Sequence, residues 1–267
     1  MNSKTVKTLA TLSIILTMGF VFACIKRTIP IKPPPVPVPL TLNTGLLLYL
    51  PFKGNFADSS GHNNPDTAYN GASLTTDEHG NANSAFNATG AGQKLEVTNN
   101  GSIQFDSAFT ISFNFMLNSN NYNRQAFLSM VRPDNAYGPT FTLGTIVPYM
   151  TNFDFGVDDS TQGCDNTNGD HTKNVNDTTS FSPQPGSWYN AICIYHKGTI
   201  TTYINGQFVG SKTNPLNTTA LLCPASKILV GSWWDSDPEP LDGKIDEVRL
   251  YNRVLTADEI SYLAKSL

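Results

Sequence analysis

Residues 241–264 read Leu241-Asp242-Gly243-Lys244-Ile245-Asp246-Glu247-Val248-Arg249-Leu250-Tyr251-Asn252-Arg253-Val254-Leu255-Thr256-Ala257-Asp258-Glu259-Ile260-Ser261-Tyr262-Leu263-Ala264. In the first half Ile245, Val248, Leu250 and Tyr251 sit among Asp246, Glu247 and Arg249, which suits a strand with one face on a core. In the second half the period changes: Ile260, Leu263 and Ala264 are spaced for one face of a short helix, from Thr256 to about Ser266. Thr256 and Glu259 have capping-box spacing, in which the Thr hydroxyl accepts the N3 amide and the Glu side chain reaches back. Leu255 and Ile260 stand where a hydrophobic staple belongs. A strand running into a capped helix is therefore expected here.

Two earlier blocks share this character. Gly45-Leu46-Leu47-Leu48-Tyr49-Leu50-Pro51-Phe52 is an apolar strand, followed by Gly54-Asn55 and the turn Asp58-Ser59-Ser60-Gly61. Farther on, Trp188 opens the strand through Tyr195, and Tyr203-Ile204-Asn205-Gly206 carries the Asn-Gly pair that favours a tight hairpin. Between them short apolar runs recur, separated by Gly, Asn and Asp. Phe109, Ile111, Phe113 and Phe115 alternate cleanly, Tyr69 to Leu74 reads as one strand, and Asp158 to Pro183 reads as a long solvated loop without period.

In this order, the blocks resemble bacterial laminin-G-like domains of the concanavalin A-like lectin/glucanase superfamily, from roughly Gly45 to the C-terminus. The resemblance implies an all-β, two-sheet antiparallel jelly-roll β-sandwich with a short C-terminal helix, over residues 44–267. It also implies a metal pair. In that family the Asp of the Asp-Ser-Ser-Gly turn and the Asp of the closing strand recur together, which points to a structural calcium ion (Ca2+) between Asp58 and Asp246. From the residues alone, Asp58 is equally an ordinary Asx-turn, and Asp246 can accept backbone amides or pair with Arg249.

Residues 1–23 have the form of a lipoprotein signal peptide: Lys4 and Lys7, an apolar run from Leu9 to Phe22, then a small residue, Ala23, before Cys24. Val21-Phe22-Ala23-Cys24 resembles a bacterial lipobox, which implies cleavage before Cys24, lipidation of that residue, and an anchored protein at the cell envelope, periplasmic or surface-exposed. Residues 24–43 form a tether, in which Pro30, Pro33, Pro34, Pro35, Pro37 and Pro39 favour an extended polyproline conformation. Export permits disulfides, and Cys164 and Cys223, both in polar loops, are the candidate pair; Cys193 lies in an apolar strand.

The formal charge is −4, but all 21 acids and only 12 of the 17 Lys and Arg lie from Thr41 onward, so that region carries 12 minus 21, or −9. Such a domain lacks the basic stripe that nucleic-acid binding requires. Glycoside hydrolysis needs two placed carboxylates. The five Glu (Glu78, Glu96, Glu239, Glu247 and Glu259) do not form the Glu-x-Asp-x-Glu strand motif of the related glucanases, because Lys244 stands where its first Glu belongs. The four His show no zinc spacing, and no nucleophile elbow is present. The sequence therefore points away from an enzyme and toward a binding module. Its expected partner is a glycan, met by aromatic rings with polar neighbours; the alternative is a protein partner in adhesion or assembly. Trp233 and Trp234, beside Asp235 and Asp237, are the leading candidates, with Tyr122 and Tyr137 in Asn-rich loops behind them. In an extended segment adjacent Trp side chains point to opposite sides, so at most one of the two would enter the core, and the other would offer the ligand platform.

Overall fold

The computed structural model describes residues 37–120, 124–134, 139–146, 152–160, 163–164, 172–236 and 238–265. In chain order the first strands are β1 (Leu46–Leu50), β2 (Asp66–Tyr69), β3 (Ser73–Thr75), β4 (Ala85–Thr89), β5 (Lys94–Thr98), β6 (Ala108–Leu117), β7 (Gln125–Val131) and β8 (Phe141–Ile146). They continue as β9 (Asn152–Val157), β10 (Val175–Thr178), β11 (Trp188–His196), β12 (Thr199–Ile204), β13 (Gln207–Thr213), β14 (Lys227–Val230) and β15 (Asp242–Tyr251), before helix α1 (Ala257–Ala264). One sheet runs β13-β12-β11-β6-β15-β4-β3, with β1 also paired to β15; the other runs β10-β9-β8-β7-β14-β5-β2. All the pairings are antiparallel, and the two sheets form a sandwich.

The core between the sheets follows from two-residue alternation. Phe109, Ile111, Phe113, Phe115 and Leu117 of β6 point inward and meet Phe127, Phe153 and Phe155 from the facing sheet. The Phe115 and Phe127 rings lie 4.4 Å apart, and Phe113 and Phe127 5.9 Å. Each fully buried Phe contributes about 1.5–3 kcal/mol, so this aromatic row is a principal source of stability. The alternate residues Thr110, Ser112 and Asn114 face the other way, yet they too are buried.

Helix α1 packs on that same outer face, against β11. The helix and its lead-in place Leu255 and Leu263 against Ile192, Ile194 and Tyr251 on the outer face of the first sheet, with Leu42 and Leu46 from the start of the domain. The capping box forms as its spacing requires: Thr256 Oγ1 accepts the Glu259 amide at 3.3 Å, and the Thr256 amide donates to Glu259 Oε2 at 2.8 Å. Glu259 does more than cap. Arg253 donates to both its carboxylate oxygens, at 2.8 and 2.7 Å, and the Thr41 hydroxyl donates to Oε1 at 2.8 Å. These donors, Arg253 foremost, hold its fully buried carboxyl at about 2, well below the ordinary 4.5.

Two expectations need correction. Tyr69 to Leu74 is not one strand: Asn70 and Gly71, both at positive φ, turn the chain between β2 in one sheet and β3 in the other. The 158–183 segment is not wholly irregular, because β10 pairs with β9 from Val175↔Val157 to Thr178↔Asp154. Its alternation is Val-Asn-Asp-Thr, too polar to signal a strand, and the partner strand supplies what the pattern lacks.

Thr256→Ala should cost about 1 kcal/mol through the lost cap. Deleting Leu255 onward should lower the thermal midpoint much further, because it uncovers Ile192, Ile194 and Tyr251. The depressed Glu259 carboxyl binds its proton less readily when folded than when unfolded. Its contribution is therefore complete above about pH 4.5 and is lost as pH falls toward about 2. Glu259→Gln should lower stability at neutral pH and flatten the acid limb of the unfolding profile.

Candidate functional site

The β14–β15 connection folds over the outer face of the second sheet. Gly231 donates its amide to Phe127 O at 2.9 Å, Ser129 Oγ to Ser232 O at 3.0 Å, and Ala126 N to Glu239 O at 2.8 Å. The Trp233 amide bonds Pro238 O at 2.9 Å, which curls the segment into a loop. Because it is curled and not extended, the two indoles do not point to opposite sides. Trp233 and Trp234 stack at 5.5 Å and 13°, which corrects the alternating placement expected from the sequence.

Trp233 is the buried floor, 3% exposed, and its Nε1 donates to Leu143 O at 3.4 Å. Gly144 makes this seat possible, since a Cβ there would come within 3.2 Å of the indole and 2.5 Å of Gln125 O. Trp234 lies half-buried on top, and Asp235 is exposed at the rim. Charged groups absent from the sequence reading complete the surroundings. The Arg124 guanidinium lies 5.4 Å from the Trp233 ring and pairs with Glu239 at 2.7 Å. Lys94 pairs with Asp235 at 2.8 Å and Glu96 at 3.0 Å, and sits 5.3 Å from the Tyr69 ring. Arg124 and Glu239, like Lys94 and Asp235, lie more than a hundred residues apart in the chain, so no local motif announces either pair. Tyr122, Tyr137 and Asp237 lie outside the described residues.

A second polar site lies on the outer face of the first sheet, where β15 bulges. Between Asp246 and Arg249 the register with β6 slips by one residue, and Glu247 adopts φ +52. Asp246, 3% exposed, is thereby gathered with Asp77 and Glu78, one carboxylate oxygen from each lying within 4.8 Å of the others. The Glu78 side chain is 6% exposed; its Oε1 accepts from Asn114 Nδ2 at 3.0 Å, while its Oε2 has no hydrogen-bond partner among the described residues. Burial foremost, then Glu247 and Glu78, pushes the Asp246 carboxyl up to about 9. Burial likewise raises Glu78, with the neighbouring His79 opposing. The cluster opens into a cleft of about 320 Å³ that also meets Tyr49, Lys53, Glu247 and Arg249.

Asp58, expected as the partner of Asp246, is not in this cluster. Its Oδ1 accepts the Tyr49 and Ser60 amides at 3.2 and 2.9 Å, and its Oδ2 accepts the Asn64 amide and side chain at 3.0 and 2.9 Å. Burial alone would raise this carboxyl; the Ser60 and Asn64 donors outweigh it and hold it below its usual range. It closes an Asx-turn, and Asp77 and Glu78 stand beside Asp246 in its place. The signal for the bulge was present in the sequence, because Ile245 and Val248 both face the core although three residues apart.

The structure joins Cys164 to Cys223 with a Cα–Cα separation of 5.5 Å, and Cys193 is a buried free thiol. Cys24 lies outside the described residues.

The fold is shared with several solved binding domains. The binding domain of Paraclostridial Mosquitocidal Protein 1 matches with a TM-score of 0.64 at 18% identity, over 84% of this chain and 53% of that one. The botulinum neurotoxin serotype D ligand binding domain, solved in complex with N-acetylneuraminic acid, matches with 0.63 at 16%, over 84% and 51%. A structure of botulinum neurotoxin type C, whose cell entry is dependent upon interaction with two ganglioside molecules, matches with 0.63 at 17%, over 85% and 52%. The chain spans about half the length of these structures, and at such identities the likeness is one of fold. No curated protein matches it in sequence. Residues 89–261 match the Laminin_G_3 model, and the chain belongs to that family of the concanavalin A-like lectin/glucanases superfamily.

Proposed function

We propose that the protein is a non-catalytic carbohydrate-binding module. The observation that carries this reading is the Trp234 ring, held half-buried on a buried Trp233, with the exposed Asp235 next in the chain. A fixed aromatic face takes the C–H face of a sugar, and a neighbouring carboxylate accepts its hydroxyls; little ordering entropy is lost on binding because the ring is already placed. The likeness to domains that bind N-acetylneuraminic acid or gangliosides supports the ligand class, though this chain spans only half of them. The absence of the glucanase Glu-x-Asp-x-Glu motif supports a binding role over hydrolysis. Trp234→Ala should abolish glycan retention on an array while lowering folding stability by no more than about 1 kcal/mol, as for most single substitutions. Unchanged retention would remove Trp234 from the site.

We further propose that Asp77, Glu78 and Asp246 hold a structural Ca2+ ion. Three gathered carboxylates repel one another, and a buried carboxylate oxygen without a donor is costly; a hard cation with oxygen ligands answers both. An ion bound only by the folded state stabilises by mass action, so chelator should lower the melting temperature and calcium restore it. Asp246→Asn should abolish that response. It should also raise stability in chelator at neutral pH, since the raised carboxyl costs stability progressively between its ordinary 3.8 and about 9. Identical melting with and without chelator would end the proposal.

Lipidation at Cys24 and a place in the cell envelope are part of the same reading, motivated by Lys4, Lys7, the apolar run and Val21-Phe22-Ala23-Cys24. Cys24→Ser should move the protein out of the membrane fraction. Mass spectrometry of a wild-type N-terminus without acyl chains would contradict it.

A further inference from the structure

The charges around the tryptophan platform bear on which sugars it takes. Among the described residues, Arg124 and Lys94 contact the loop and Lys227 joins them through Glu96, and each of these cations is already engaged by carboxylates. Lys94 contacts Asp235 and Glu96, Lys227 contacts Glu96 at 3.2 Å, and Arg124 contacts Glu239 at 2.7 Å. Glu96 explains two of them. Its side chain is only 6% exposed, and an ionised carboxylate in such a place is tolerated when cations compensate it; Lys94 and Lys227, 13% and 23% exposed, do so from two sides. Lys94 therefore has a structural duty to a buried acid, as well as its contact with the rim. Among the described residues of these ion pairs, Lys94, Lys227 and Arg124 are matched by Glu96, Asp235 and Glu239, within a domain that carries −9 from Thr41 onward.

A sugar carboxylate arriving at Trp234 would add an anion to acids that already engage these cations. It would have to displace Asp235 or Glu239 from its cation, while Glu96 keeps its claim on Lys94. A neutral sugar meets no such competition. Its C–H face lies on the indole, and its hydroxyls donate to Asp235, whose side chain is 58% exposed and reachable at the rim.

We infer that the platform selects uncharged pyranoses and turns away sugars that bear a carboxylate. This rests on the carbohydrate-binding reading above and departs from the N-acetylneuraminic acid ligand of the serotype D domain, which is similar in fold alone.

The test uses the full chain and matched glycan pairs that differ in charge: lactose against sialyllactose, and oligogalactose against oligogalacturonate. At least one neutral member should bind, and its charged counterpart should bind at least about tenfold more weakly. Raising the salt should narrow that gap, because it screens the repulsion. Glu239→Gln, which removes one negative charge from the surroundings, should narrow it as well. Binding of a charged member as tight as its neutral counterpart, and lost in Trp234→Ala, would overturn the selectivity while leaving the carbohydrate-binding function standing. Binding of neither class, or binding that survives Trp234→Ala, would overturn the platform itself and this inference with it.

Discussion

The closing strand β15 must satisfy hydrogen-bonding groups along both edges over ten residues, and no single neighbour does so. On one side it pairs with β6; on the other it pairs first with β4, through Asp242 to Ile245, and then with β1, through Val248 to Tyr251. The change of partner coincides with the bulge at Glu247. A bulge bends and twists the strand locally, which lets one strand serve two neighbours that are not collinear. Its positive φ at a non-glycine residue is held by the side chain's own contacts: Tyr49 Oη donates to Glu247 Oε2 at 2.7 Å, and Arg249 donates to the same oxygen. The first and last strands are thereby tied through one glutamate. Arg253, Glu259 and Thr41 tie the chain again one layer out.

The sandwich, the hairpin at Asn205-Gly206 and the capped helix were legible because each rests on local chemistry: alternation, a turn that needs positive φ, and a cap spaced by one helical turn. The Trp233–Trp234 locus was legible as a position but not as a geometry. Adjacent residues alternate only in extended chain, and the bond from Trp233 N to Pro238 O is what removes that premise. The carboxylate cluster was half legible. Asp246 stood out from the closing strand, whereas Asp77 and Glu78 come from the turn between β3 and β4, where an acidic residue reads as ordinary turn chemistry. Asp77 does act as one, accepting the His79 and Asn81 amides at 3.0 and 2.7 Å.

Asp58 and Asp246 show why an acidic residue in a turn is a poor guide to a cation. Asp58 has four donors, and their hydrogen bonds already stabilise its charge. Asp246 accepts the Glu247 amide at 2.7 Å and faces two further acids. What separates them is the supply of donors around each carboxylate. That supply is set by tertiary packing: a buried row in which Asn190 Nδ2 donates to Asn114 Oδ1, and Asn114 Nδ2 to Glu78, spends its donors before reaching Glu78 Oε2.

The tryptophan loop is fixed by the same closing strand. Asp242, the first residue of β15, donates its amide to Gln125 Oε1 at 2.8 Å and accepts from Asn118 and Ser119 through its carboxylate. Gln125 is fully buried at the start of β7, and the next amide, Ala126, holds Glu239 of the loop. At its other end the loop leaves β14 at Gly231, whose amide is held by Phe127 and whose carbonyl accepts from Leu241 at 3.3 Å. Both ends of the loop are therefore anchored to β7 within three residues of each other. A segment pinned so closely has few conformations to lose when a ligand arrives, and its aromatic face is set by the sheet beneath it and not by the ligand above. The same rigidity limits it. On the proposed reading, a loop anchored in this way favours ligands whose shape and charge already suit the surface presented, and the acids around Trp234 would act as a filter and not merely as contacts.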